Sequence, residues 1–236
     1  MLDMLEPRER LIVALDCSSV PEAEAVVDRL GGAIAFYKIG YQLAFAGGLE
    51  FAKKLVGCSK RVFIDLNLLD VGAEVSSAVE SIGRIGATFL TVHAYPQTMH
   101  AAVEARAGSN LRILAVPVPT SYSDADLAAA GYDFTVQELI AERAAQAKDI
   151  GIDGIVCAPT ELTMLRSIVG PRMILVAAGI RPIGSEAINP NPSINPAEAI
   201  SAGANFIVVD HAILDAEDPR MAADRIVEGI TRAQKL

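Results

Sequence analysis

Val62-Phe63-Ile64-Asp65-Leu66-Asn67-Leu68-Leu69-Asp70 runs a β-favouring apolar stretch straight into two acids. Strict alternation places Asp65 and Asn67 on one face of a strand, and Asp70 falls where a loop should begin. The stretch reads as a buried strand with polar groups at its C-terminal end. Residues 71–85 follow with apolar positions at helical spacing, and residues 88–93 form another short apolar run. Strand, helix, strand is the βαβ unit, which implies parallel pairing.

The alternation continues outward in both directions. Candidate strands occupy residues 11–16, 34–39, 61–66, 88–93, 111–118, 154–157, 173–177 and 206–210, with helix-patterned segments such as 20–30, 71–85, 136–150 and 221–233 between them. Each strand is almost continuously apolar, as parallel strands covered on both faces should be. Several helical segments end at glycine before the next strand: Gly31-Gly32, Gly86, Gly151 and Gly203. Eight such units, of roughly 30 residues each, predict an α/β fold: a (β/α)8 TIM barrel, with a doubly wound open sheet as the alternative. No composition break marks a second domain, so residues 1–236 are expected to form one barrel. The stretch 181–196, with four prolines and three asparagines, follows the seventh strand and is expected to be a lid loop.

Composition narrows the function classes. With 52% hydrophobic and 21% charged residues the chain reads as globular. A net charge of −9 argues against non-specific nucleic-acid binding and against a basic membrane face. Cys17, Cys58 and Cys157 are too few and too widely spaced for a disulfide framework, which fits a cytoplasmic protein. Residues 1–10 lack the apolar core of a signal peptide, and no apolar run reaches membrane-spanning length.

Barrels carry their sites at the C-terminal ends of the strands. The polar residues there are Asp16, Lys38, Asp65, Asn67, His93, Thr120 and Ser121, Arg181, Asp210 and His211. A charge inside an apolar strand is costly unless paired, so Asp16 with Lys38 could be a structural ion pair alone. Several charges at successive strand ends point to a functional site instead. His93 is expected to be a buried structural histidine with a hydrogen bond, His100 to be solvated, and Cys17 to be an inert thiol.

These segments together resemble the orotidine 5′-phosphate decarboxylase family over nearly the whole chain. The matching motifs are Leu-Ile-Val-Ala-Leu-Asp16, Phe-Tyr-Lys38-Ile-Gly-Tyr-Gln-Leu, the stretch from Val62 to Asp70, Leu-Thr-Val-His93-Ala, Pro-Thr120-Ser121 and Ala-Gly-Ile-Arg181-Pro-Ile-Gly-Ser. The resemblance implies a cytoplasmic homodimer with shared active sites that removes the C6 carboxylate of orotidylate without metal or organic cofactor. It implies that Asp16 and Lys38 hold the ribose hydroxyls and that Asp65 faces the substrate carboxylate. Asp70 would reach the partner's site, Ser121 with Thr120 would read the pyrimidine, and Arg181 would begin the lid over the phosphate.

The chain also departs from that pattern. Asn67 stands where the family's Asp-x-Lys-x-x-Asp motif has its proton-donating lysine, and an amide neither titrates usefully nor offsets a carbanion. His211 replaces the phosphate-gripping arginine, and Asp210 brings a negative charge beside it. The lid reads Glu186-Ala-Ile-Asn189-Pro-Asn191-Pro instead of carrying Gly-Asp-Gln. Ala73-Glu74 stands for Asn-Thr, and Ala178 for proline. This predicts a divergent member with weak or altered activity. The alternatives are a non-catalytic nucleoside-binding protein, or a Mg²⁺-dependent lyase in which Asp16, Asp65 and Asp70 outnumber Lys38 and recruit a cation.

Overall fold

The computed structural model describes residues 5–180 and 194–233. Eight strands pair in chain order, all parallel, and close on themselves through β1 and β8. They are β1 (Leu11–Ala14), β2 (Phe36–Ile39), β3 (Arg61–Leu68), β4 (Phe89–His93), β5 (Arg112–Val116), β6 (Gly154–Cys157), β7 (Ile174–Ala177) and β8 (Phe206–Val209). The helices are α1 (Val20–Leu30), α2 (Tyr41–Leu43), α3 (Leu49–Gly57), α4 (Gly72–Ile85), α5 (Pro96–Ala105), α6 (Asp124–Ala129), α7 (Val136–Ile150), α8 (Leu162–Val169), α9 (Pro196–Ser201), α10 (His211–Leu214) and α11 (Pro219–Ala233). The TIM barrel expected from the alternating pattern is the fold found, with strand ends shifted by a residue or two.

Local chemistry sets the helix ends. Ser19 accepts from Glu22 N at the start of α1, and Thr135 and Glu138 form a capping box on α7. Gly151, at φ 88°, closes α7 in the left-handed conformation and turns the chain into β6. Gly154 has a packing role: a Cβ there would lie 2.6 Å from Ile174 Cβ, so β6 and β7 could not approach as they do.

Alternation divides the strands between two cores. One set of residues packs outward against the helices, as with Val13, Tyr37, Ile64 and Leu90. The other fills the barrel, with Ile12, Phe36, Phe63, Phe89, Leu114, Ile174 and Phe206 among its members. Phe89 is the hub, its ring centroid 5.2 Å from those of Phe36 and Phe206 and 5.9 Å from that of Phe63. This aromatic plug separates the two ends of the barrel. Two residues further along each strand, the same inward parity delivers Lys38, Asp65 and Thr91 to the C-terminal mouth.

β3 breaks the plain alternation. Ile64 pairs with Leu90, but Leu68 pairs with Val92, so β3 carries two extra residues against β4. Asn67 sits within this bulge at φ 44°, a left-handed conformation that asparagine tolerates better than most side chains.

Candidate active site

The mouth is organised around one ammonium. Lys38 Nζ lies 3.4 Å from Asp16 Oδ1 and 3.4 Å from Asp65 Oδ2. Its side chain is only 13% exposed, against 37% for Asp16 and 23% for Asp65. Burial alone would weaken the ammonium's hold on its proton. The Asp65 and Asp16 carboxylates outweigh that and raise its pKa above the usual lysine value. Lys38 is therefore a fixed positive charge and a reluctant acid.

Thr91 joins the two strands at this point. Its fully buried hydroxyl donates to Asp65 Oδ1 at 2.9 Å and accepts from the backbone N–H of Asn67 at 2.9 Å. One hydroxyl thus orients the carboxylate and holds the bulge. Tyr41 fixes the other side by donating to the Leu66 carbonyl at 2.6 Å. The Asn67 side-chain oxygen is buried and has no partner among the described residues. A buried, unpaired acceptor is costly, and at a site mouth it is available to a donor on a ligand.

A second network supports the loop after β5. Arg143, on α7, is nearly buried and donates to the Pro117 carbonyl at 2.5 Å and to the Tyr132 hydroxyl at 3.1 Å. Its guanidinium lies 4.5 Å from the Tyr95 ring centroid and 5.4 Å from that of Tyr132, and the two tyrosine hydroxyls are 2.5 Å apart. Burial, and then the Arg143 charge, lower the pKa of the half-buried His93, whose ring stands edge-on to Tyr95. The expected hydrogen bond to the His93 ring is not found among the described residues: the ring is an aromatic neighbour held neutral by its surroundings.

The other expected positions fall as follows. Thr120 and Ser121 are exposed in a turn closed by Tyr122 N to Pro119 O at 2.9 Å, just beyond the Pro117 carbonyl that Arg143 holds. Asp70 does not join the acids around Lys38; it is exposed, and its Oδ1 accepts from Val71 N at 2.7 Å. Asp210 turns back to cap α10 by accepting from His211 N at 2.7 Å, and the exposed His211 ring pairs with Asp215 at 3.2 Å. Arg181 and most of the 181–196 loop lie outside the described residues. Cys17 is buried, and burial, then Glu22 and Asp16, push its thiol up to about 11, so it stays protonated. For Mg²⁺, no three carboxylate, histidine or cysteine side chains converge among the described residues, and Lys38 engages Asp16 and Asp65.

Thr91 and Arg143 were not singled out in the sequence. Both left a signal there. Thr91 is a polar residue of inward parity, two places after Phe89. Arg143 falls on the buried stripe of α7 with Leu139, Ile140 and Ala147.

A closed parallel barrel with an ion-paired lysine and two carboxylates at its mouth defines a small-molecule site of the α/β-barrel class. More narrowly, the model for the orotidine 5′-phosphate decarboxylase / HUMPS family matches residues 9–226, and the chain belongs to that family. It is 58% identical over 227 residues to the orotidine 5′-phosphate decarboxylase of Rhodopseudomonas palustris, covering 96% of each chain. It is 53% identical over 236 residues to the protein of the same name from a Methylobacterium species, covering 99% of this chain and 100% of that one. The crystal structure of orotidine 5′-phosphate decarboxylase from Lactobacillus acidophilus superposes with a TM-score of 0.84 at 29% identity, over 93% of this chain and 98% of the other.

Proposed function

We propose that the barrel mouth binds a pyrimidine nucleotide and acts as an orotidylate decarboxylase-like lyase whose turnover is weak or altered. The observation that carries this reading is the Lys38 ammonium held between Asp16 and Asp65, alone there among the described residues, with the amide of Asn67 on the adjoining bulge. In this reading Asp16 and Lys38 hold the ribose hydroxyls, while Thr120 and Ser121 meet the pyrimidine edge. Asp65 lies against the carboxylate. Arg181 and His211 serve the phosphate end. Release of carbon dioxide breaks the bond to C6 and leaves its electron pair there, so a proton must reach C6. Lys38 holds its proton too firmly to give it readily, and Asn67 has none to give in the useful range. The site is thus competent to bind and poorly equipped for the proton transfer.

A second reading, a nucleoside-binding protein without turnover, is favoured by the buried unpaired oxygen of Asn67, which suits a ligand N–H or O–H. Two measurements separate the readings: calorimetric binding of uridine and uridine 5′-phosphate, and loss of orotidylate absorbance. Binding with slow turnover supports the lyase, and binding with none supports the second reading. No binding of either ligand overturns both.

The active form in this reading is a cytoplasmic homodimer. Tyr41, Phe45, Leu69 and Val71 are large apolar residues exposed beside the mouth, with Phe45 82% exposed and stacked on Tyr41. Such a patch suits a second copy of the chain, and Asp70 lies within it. No helix among the described residues is long and apolar enough to cross a membrane, and Cys17, Cys58 and Cys157 are free thiols, as a reducing compartment would leave them.

A further inference from the structure

The structure assigns a second binding site to the N-terminal end of the barrel: a basic trough for a small polyanion of the phosphate class, centred on Arg112. Two cavities, of about 530 Å³ and about 350 Å³, open there, and both are lined by Arg112 and Asp153. The first adds Arg61 and Arg106, and the second adds Lys148 and Arg172. Five cations thus face one acid among the lining residues, in a chain whose net charge is −9. Such a concentration against the overall charge produces a local positive field at a concave surface.

The donors there are incompletely used. Arg112 is half-buried, and although its backbone N–H donates to the Thr88 carbonyl at 3.0 Å, its guanidinium has no hydrogen bond or ion pair with any described residue and acts on Asp153 through charge alone. Arg106 Nε is buried and lies 3.1 Å from Asp153 Oδ2, but it makes no aligned hydrogen bond. Asp153, whose Oδ2 also accepts from the Ile113 N–H at 2.8 Å, carries one charge and so cannot neutralise the five cations. Arg61 and Lys148 are tethered to the carbonyls of Glu9 and Ile168, and the Glu9 carboxylate offsets part of the Arg61 charge. A half-buried guanidinium without an acceptor, in cavities of ligand size, calls for an acceptor-rich anion. Cations spread over two adjoining cavities match two or more phosphate groups better than one carboxylate. Phe36, Phe63, Phe89 and Phe206 lie between this end and the mouth, so the site is independent of the reading given to Lys38.

Titration calorimetry with inorganic phosphate, pyrophosphate, a nucleoside triphosphate and citrate tests the assignment. Pyrophosphate or the triphosphate should bind more tightly than phosphate or citrate. Arg112→Gln should weaken that binding about 10-fold or more, while Asp16→Asn at the mouth should leave it unchanged. Arg172→Glu, at an exposed lining position, should weaken it as well and covers the case in which Arg112→Gln fails to fold. Binding unchanged in both basic-end variants, binding abolished by Asp16→Asn, tighter binding of citrate, or no heat with any of the four anions overturns it.

Discussion

The two ends of the barrel place charge in opposite ways. At the mouth, Lys38 lies between Asp16 and Asp65, and Thr91 fixes the acid nearest the bulge. At the other end, five cations and one acid, Asp153, line two adjoining cavities. Four phenylalanine rings separate them. The mouth pairs its Lys38 cation with two carboxylates and, among the described residues, leaves the side-chain oxygen of Asn67 unpaired. The basic end has excess charge and unpaired donors. Ion-paired charge suits positioning a bound group, whereas excess positive charge suits recruiting an anion.

The aromatic plug is where the comparison breaks most easily. Phe89→Ala removes a ring in contact with three others and should cost about 3–5 kcal/mol, measured as a shift in the urea unfolding midpoint. A loss below about 1 kcal/mol would mean that the ends are not held apart as described. Arg143→Met comes next. It leaves the Pro117 carbonyl and Tyr132 hydroxyl without their donor, at about 1–3 kcal/mol, and it should weaken uridine binding by releasing the loop that carries Thr120 and Ser121. Unchanged uridine affinity would show that Arg143 only supports packing.

The pH dependence sharpens the same contrast. His93 has its pKa lowered on folding, so the unfolded chain binds the extra proton first. Stability is complete above the unfolded histidine value of about 6.5 and falls as pH drops through the lower folded value. His93→Gln should flatten that acid limb in thermal melts recorded between about pH 5 and 7. Lys38 has its pKa raised, so its contribution is complete below the unfolded lysine value and is lost only as pH climbs through the higher folded one. The smallest effect is expected at the bulge. Asn67→Gly should match or slightly exceed the original stability, while Asn67→Val at φ 44° should lose about 1–2 kcal/mol. Equal stabilities would mean that the bulge relaxes.

Much of this was legible in the chain. Apolar strands punctuated by helical segments and glycines specify the parallel barrel, because a strand buried on both faces needs that composition. Lys38, Asp16 and Asp65 were legible because a charge within an apolar strand requires a partner. The bulge was not, since a register shift depends on how β4 pairs with β3, and nothing inside 61–68 states that pairing. Asp70, expected at the start of a loop, is exposed there and stands apart from the acids around Lys38 of its own chain. His211 was weighed as a phosphate ligand, and its exposed pairing with Asp215 follows from the short helix α10, which the strand pattern did not reveal.

The most direct test of the central claim compares orotidylate turnover by the unaltered protein and by Asn67→Lys under identical conditions. The account predicts slow turnover by the unaltered protein and a gain of about 100-fold or more when a lysine supplies the proton. Rapid turnover by the unaltered protein, with no gain from the lysine, would contradict it.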